Sequence, residues 1–445
     1  MDWLQKPAAE LGRGIAAERI DPRELTEAYL EAIARHQARD AIYARTTPER
    51  ARSEAAAAAE RARAGLPAGP LDGVPISWKD LFDTEGVGTE GGTRLLAGRV
   101  PQADCLVVHR ATAAGTVCLG KTHTSELAFS GLGVNPMTGT PPNAIEPVHA
   151  PGGSSSGAAV STKLGLAAAG IGSDTGGSVR IPAGWNDLVG LKTTAGLIPL
   201  DGVLALAPSL DTVGPLCRTV QDCALLLGIL ADMPAPDLSG ASLADERLHV
   251  ATTLVLDGCD DGVVEAFDAA VDRLGRAGAR LTRGEVPEFD GATRTMRELS
   301  ALVNAEAYAE WGELIEAKPG VVFARIEERI LQGRGADAEK DAAARREYAR
   351  LSESVQRRMD EHGLLVMPTT AIWPPEAQRL FDDAEFYTER NLMALRNTRL
   401  ANLLGLCSLT LPTGTPMCGL MLFAPPGAEA RLLRIGSALE AALAG

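Results

Sequence analysis

Two stretches set serines among glycines at spacings that could support chemistry. They are Ala150-Pro-Gly-Gly-Ser-Ser-Ser-Gly157 and Gly170-Ile-Gly-Ser-Asp-Thr-Gly-Gly-Ser-Val-Arg-Ile-Pro182, and residues 152–202 hold 12 glycines, about twice the density of the whole chain. Glycine is needed where φ is positive or where main chain must approach a bound group, and successive exposed N–H groups can then form an anion-binding nest. Residues 152–157 have the GxxxxG spacing of a phosphate-binding loop, but Ala158 and Ala159 stand where lysine and serine or threonine are obligatory. No side chain there can pair with a β- or γ-phosphate. Gly170-x-Gly172 is followed by Thr175 where a dinucleotide fingerprint has its third glycine. Residues 153–157 fit GxSxG, with Ser155 as nucleophile and His249 or His362 as base, but the proline-broken run 143–151 before it is unlike the central strand that a nucleophile elbow requires.

A serine nucleophile without a histidine needs another base. A lysine serves if burial lowers its pKa. Only seven lysines are present against 36 arginines, and Lys79 lies in the apolar stretch Gly73-Val-Pro-Ile-Ser-Trp-Lys-Asp-Leu-Phe82, which places it in the interior. In water only about one lysine in a thousand is neutral near neutral pH, so desolvation and neighbouring dipoles must supply several kcal/mol. A paired or snorkelling structural lysine is the competing reading of Lys79.

Together these stretches resemble the amidase signature family of serine hydrolases. The likeness rests on Gly-Gly-Ser-Ser, on the Gly-Ser-Asp-Thr-Gly-Gly-Ser-x-Arg-x-Pro block whose serine follows 24 residues later, and on the upstream Gly-Val-Pro-x-x-x-Lys-Asp. It continues through Gly190-Leu-Lys-Thr-Thr194, Ser209-Leu-Asp-Thr-Val-Gly-Pro215, Val366-Met-Pro-Thr-Thr370 and a C-terminal helix over 429–440, and so runs from about residue 8 to the end. The resemblance implies Ser178 as nucleophile, Ser154 as bridging serine in a cis peptide and Lys79 as base. It implies an oxyanion hole made by the amides of Thr175, Gly176, Gly177 and Ser178, in keeping with what paired glycines allow. Ser155 is expected to hydrogen-bond within the relay, and Ser156 replaces the family's usual glycine. Asp174 and Arg180 are expected to pair and hold the segment, with substrate binding by Arg180 as the alternative; Ser173 is left unassigned. The implied reaction is hydrolysis of an amide through an acyl-enzyme, releasing a carboxylate and ammonia or an amine, with carbamates, urethanes and esters open to the same chemistry. No cofactor is implied.

The elements that must position these residues read as an α/β fold: one large domain, residues 1–445, with a mixed, mostly buried central sheet covered by helices. Asp21-Pro22-Arg23-Glu24 and Thr47-Pro48 open two helices, the second ending at Gly65, and residues 1–65 form an N-terminal helical layer. Apolar runs at 74–78, 116–119, 166–171, 249–256, 364–367, 408–411 and 420–423 are strand candidates. Residues 239–375 are more charged and poorer in glycine, as a peripheral helical subdomain that shapes the pocket together with 125–135; within it, 337–362 reads as a solvated helix.

A formal charge of −15 disfavours nucleic acid and anionic lipid as partners. The N-terminus lacks a secretory pattern, and no apolar run reaches the roughly 20 residues that span a bilayer. Seven scattered cysteines without a CxxC pair, and six histidines without a close cluster, argue for reduced thiols and against a metal site. The expectation is a cytoplasmic enzyme with a small-molecule amide as its partner, no nucleic acid and no membrane; a homodimer stays open. Three alternatives stand beside it: the A subunit of a glutamyl-tRNA amidotransferase, a GxSxG-type α/β-hydrolase using Ser155, and a non-catalytic binding protein of the same fold. Against the first, Ala195-Gly196-Leu197 stands where that subunit usually has Tyr-Gly-Arg.

Overall fold

The structure, a computed structural model, describes residues 3–244 and 246–444. Among them eleven strands form one mixed sheet: β1 (Tyr43–Thr46), β2 (Pro75–Lys79), β3 (Val117–Thr122), β4 (Ala169–Asp174), β5 (Val189–Lys192), β6 (Thr212–Cys217), β7 (Arg247–Ala251), β8 (Arg280–Gly284), β9 (Leu364–Pro368), β10 (Cys407–Pro412) and β11 (Gly419–Ala424). Their order across the sheet is β1-β3-β2-β4-β6-β5-β10-β11-β9-β7-β8. β2 lies parallel to both β3 and β4, and the pairs from β4 to β9 are antiparallel. Every residue of β2, β3, β4, β5, β6, β9 and β11 is buried, which is why these strands read as continuous apolar or small-residue runs rather than as alternation. This is a single α/β domain with a mixed, largely buried sheet flanked by helices.

Four strands have no counterpart among the sequence expectations. β8 (Arg-Leu-Thr-Arg-Gly) is half exposed at the sheet edge with β7 as its one neighbour, so it carries no apolar run. β6 contains Gly214 and Pro215, which read as a break, yet Pro215 stands opposite Ile171 inside the sheet. β1 and β5 are four residues each, too short to show a period. β4 also begins later than the run 166–171 suggests, because the amides of Leu166 and Ala167 bond back to Ser161 O and close the preceding helix.

The N-terminal helices start largely where their sequences direct. Asp21 Oδ1 accepts the Arg23 amide at 2.9 Å ahead of Pro22–Arg35, and Pro48–Ala64 stops at Gly65, whose φ is +68°. Thr47 does not cap its helix: its hydroxyl donates to Cys118 O at 2.8 Å and ties that helix to β3. The helix Ala338–His362 also differs from the solvated one expected. Ala344, Tyr348, Leu351, Val355 and Met359 form a buried stripe at helical spacing. At roughly 1.5–3 kcal/mol for each large apolar side chain, a few such contacts hold an otherwise charged helix against the domain. Residues 239–375 supply β7, β8 and β9 to the sheet as well as this helix.

Candidate active site

Parallel β2 and β4 end on the same side of the sheet, and the crevice beyond the carboxyl ends of such strands is the usual place for ligands in open α/β sheets. Trp78 pairs with Ile171 in register, so the last residue of β2, Lys79, emerges beside Ser173 near the end of β4. Lys79 is wholly buried, and its Nζ lies 2.7 Å from Ser154 Oγ and 2.8 Å from Ser173 Oγ. Burial pushes the amine down to about 7, against the pull of the Asp211 and Asp174 carboxylates. Relative to a lysine in water, that disfavours the ammonium form by about 5 kcal/mol.

Two other lysines are equally buried, and their partners set them apart. Lys121 donates to Phe82 O and to Thr89 Oγ1 at 2.5 and 2.7 Å, with the Asp80 carboxylate at 3.5 Å. Lys192 donates to the carbonyls of Thr193 and Leu406, both at 2.8 Å. The Lys192 partners only accept, and the one hydroxyl beside Lys121, that of Thr89, already donates its proton to Phe82 O at 3.2 Å. Both Lys79 partners are hydroxyls, which can also give up a proton.

Ser154 sits in a tightly held loop. The Gly153–Ser154 peptide is cis; Ser154 O accepts from the Thr124 hydroxyl at 2.8 Å and the Ser125 amide at 3.1 Å, and the Gly153 amide donates to Gly131 O at 2.8 Å. A Cβ at position 153 would stand 2.5 Å from the Gly133 amide nitrogen, so the close approach of the two loops requires glycine. Ser155, expected within the relay, instead donates its hydroxyl to Ser173 O at 3.3 Å, and its amide bonds Ser178 O at 3.1 Å. It holds main chain on both sides of Lys79's neighbours.

Ser178 lies on the turn leaving β4, on the wall of a cavity with about 530 Å³ of unfilled space, part of it continuous with solvent. Thr175 and Gly176 line the same cavity. The amides of Thr175, Gly176 and Ser178 have no acceptor among the described residues. The fourth expected donor differs: the Gly177 amide gives its hydrogen to Asp174 Oδ1 at 2.8 Å. Gly177 is required for another reason, since its φ is +137° and a Cβ would fall 2.1 Å from Thr398 Oγ1. The Ser154 and Ser178 hydroxyls are not hydrogen-bonded to each other.

The turn is shaped from beneath by two buried carboxylates. Asp174 accepts from the Gly177 and Val179 amides, from Asn402 Nδ2 and, on both oxygens, from Arg180. Burial alone would raise its pKa; the Arg180 guanidinium reverses this and holds the carboxyl well below the ordinary range. Arg180 spends its remaining three hydrogens on Thr398 O and Asn402 Oδ1, both at 2.7 Å, and on Met421 Sδ at 3.5 Å, and is fully buried, so none is left for a substrate. Asp211 accepts from the Thr175 hydroxyl at 2.5 Å and from the Leu206 and Ala207 amides; burial pushes its carboxyl up to about 6. Arg180→Met is expected to lower unfolding stability by about 3–5 kcal/mol, because Asp174 is left as a buried charge without its cation. Denaturant titration measures this, and a loss below about 1 kcal/mol would mean the pair does not hold the turn.

Of these residues, Asp211 was visible only as part of a motif and Ser173 carried no assigned role. Thr398 and Asn402 gave no signal, being more than 200 residues from the turn they support. The GxSxG reading fails on geometry. His249 and His362 stack on each other with ring centroids 5.3 Å apart, and His249 is on β7, six strands across the sheet from β4, or roughly 29 Å at about 4.8 Å per strand. No group of three or more His, Cys, Asp or Glu among the described residues could hold a metal ion, and no described helix is long and apolar enough to cross a membrane.

The family model for amidases matches residues 24–433. A deaminase of 2-amino-5-chloromuconic acid from Comamonas testosteroni is 36% identical over 98% of this chain and 96% of its own length. The A subunit of glutamyl-tRNA(Gln) amidotransferase from Chloroflexus aggregans is 33% identical over 96% of this chain and 94% of its own. Among solved structures, an amidase superposes with TM-score 0.87 at 30% identity, covering 98% of this chain and 99% of that one. Peptide amidase from Stenotrophomonas maltophilia gives 0.82 at 27%, covering 100% and 98%. The chain belongs to the amidase signature family of serine hydrolases. It is a hydrolase of carbon–nitrogen bonds that works through an acyl-enzyme.

Proposed function

We propose that this enzyme hydrolyses a small-molecule amide with Ser178 as nucleophile, Ser154 as proton carrier and Lys79 as base. Ser178 Oγ attacks the carbonyl carbon; its proton passes to Ser154 Oγ as Ser154 gives its own to neutral Lys79. The amides of Thr175, Gly176 and Ser178 receive the oxyanion, and loss of one such donor typically costs about 3 kcal/mol. Gly177 helps indirectly by binding Asp174. As the carbon–nitrogen bond breaks, the Lys79 proton returns through Ser154 to the leaving nitrogen. Water then repeats the sequence on the ester, releasing a carboxylate and Ser178. The Ser154–Ser178 contact is completed when substrate seats, as catalytic hydrogen bonds often are.

The single observation that carries this reading is a wholly buried amine, pushed toward neutrality, whose hydrogen-bond partners are two hydroxyls, one of them on Ser154, whose neighbour Ser155 holds the carbonyl of the cavity-lining Ser178 at 3.1 Å. Aliphatic amides, aryl amides, carbamates and esters offered to the purified enzyme test it: hydrolysis of amides with release of ammonia or amine is expected, and turnover of esters alone would overturn it. A second reading, ammonia supply within a glutamyl-tRNA amidotransferase, is favoured by the 33% identity to its Chloroflexus aggregans counterpart. Glutamine-dependent ammonia release that needs two co-purifying partner proteins would select it. Six buried cysteines and one half-buried one, all free, support a cytoplasmic location.

A further inference from the structure

The wall of the Ser178 cavity carries two arginines that the mechanism does not use. Arg329 and Arg399 both line it, amid a lining that is otherwise mostly apolar, including Phe129, Leu206, Met296 and Leu403. Arg329 stacks its guanidinium 4.0 Å over the Phe129 ring and donates to Phe129 O at 2.5 Å. Arg399 donates to Leu395 O at 3.0 Å and Leu392 O at 3.2 Å, and its Nη1 lies 3.6 Å from the Met296 sulfur. Neither forms an ion pair with any carboxylate among the described residues. That is unusual in a chain with 58 acidic residues and 43 basic ones, and it contrasts with Arg180, which is buried nearby and fully paired.

Two half-buried cations on one largely apolar cavity repel each other, and their partial loss of water lowers the pKa of both. A charge drawn out of water gains from a partner of opposite sign. Each guanidinium has five N–H donors, and main-chain carbonyls take only one from Arg329 and two from Arg399. The donors left over suit the planar, bidentate pairing that a carboxylate offers. The apolar side chains that share the cavity wall with the arginines and Ser178 suit a hydrocarbon chain.

Resting on the amide-hydrolase reading above, we propose that Arg329 and Arg399 bind a carboxylate at the far end of the substrate's acyl chain, so that the preferred substrates are monoamides of short dicarboxylic acids. The carboxylate supplies the charge that the cavity lacks and fixes the amide carbonyl over Ser178. A neutral amide of the same length leaves both cations unpaired.

The test compares kcat/KM for succinamate, glutaramate and adipamate with that for the matched neutral amides butyramide, valeramide and hexanamide. At least one acid monoamide should exceed its neutral partner by about 100-fold or more, because a polar site rejects the analogue that leaves its groups unpaired. In Arg329→Gln and in Arg399→Gln this preference should fall at least about tenfold, chiefly through KM, with Arg399→Lys falling between Gln and wild type. Hydrolysis of the neutral amides at equal or higher kcat/KM would overturn the carboxylate site while leaving the amide-hydrolase reading intact. If no compound is turned over, glutarate and adipate binding still decides: a rise in Tm with either, absent with hexanamide and lost in Arg329→Gln, supports the site. No rise, or a rise with inorganic phosphate alone, overturns it.

Discussion

Ser178→Ala is expected to abolish covalent labelling by a fluorophosphonate probe and to lower amide turnover by about 10^4–10^6-fold. The magnitude follows from how such sites behave when the attacking group is removed: the rest of the relay has nothing to deprotonate, and only binding and the oxyanion amides remain. Fold should survive, since Ser178 contributes its main chain to packing through the Ser155 amide and its side chain faces the cavity. Labelling that persists unchanged in Ser178→Ala, located by peptide mapping at any other serine, would remove Ser178 from the mechanism. Ser154 and Ser155 are the nearest competitors, and mapping separates them cleanly.

The second large effect concerns the base. With the Lys79 amine pushed down to about 7, the neutral form dominates above that pH and the ammonium below it. Only the neutral form accepts a proton, so kcat/KM should rise with pH through about 7, gaining roughly tenfold between pH 6 and 8. Asp211, pushed up to about 6, is ionised over the upper part of that range, and its charge favours the ammonium form, so it moderates the shift. Lys79→Ala should cost about 10^2–10^4-fold in acylation. Lys79→Arg is the sharper comparison, because arginine keeps the charge but cannot give it up at these pH values. It should be as inactive as the alanine variant. A pH profile that is flat or falling across this range in wild type, or near-native turnover in Lys79→Arg, would mean Lys79 acts as a charge and not as a base.

Much of this protein was legible in its residues taken one stretch at a time. Most of the buried strands announced themselves as apolar runs, a helix start as Asp21-Pro22, and the chemistry as serines among glycines with one lysine in an apolar strand. Such signals are local: a strand buried on both faces must be apolar along its length, and a turn that needs positive φ must use glycine. What is not local stayed hidden. β6 was masked by Pro215, and β8 by the exposed charged residues an edge strand tolerates.

The partners of Lys79 were decided by sheet register, which sets Ser173 beside it from 94 positions away. That Gly177 spends its amide on Asp174, and that Arg180 is used up within the fold while Arg329 and Arg399 are not, depends on which groups packing brings within about 3 Å. Residue types along the chain determine which groups can donate, accept or ionise. Only tertiary structure decides which of them meet and which are taken out of water, and it is this pairing and desolvation that sets the charge on Lys79 and leaves two cations facing the cavity.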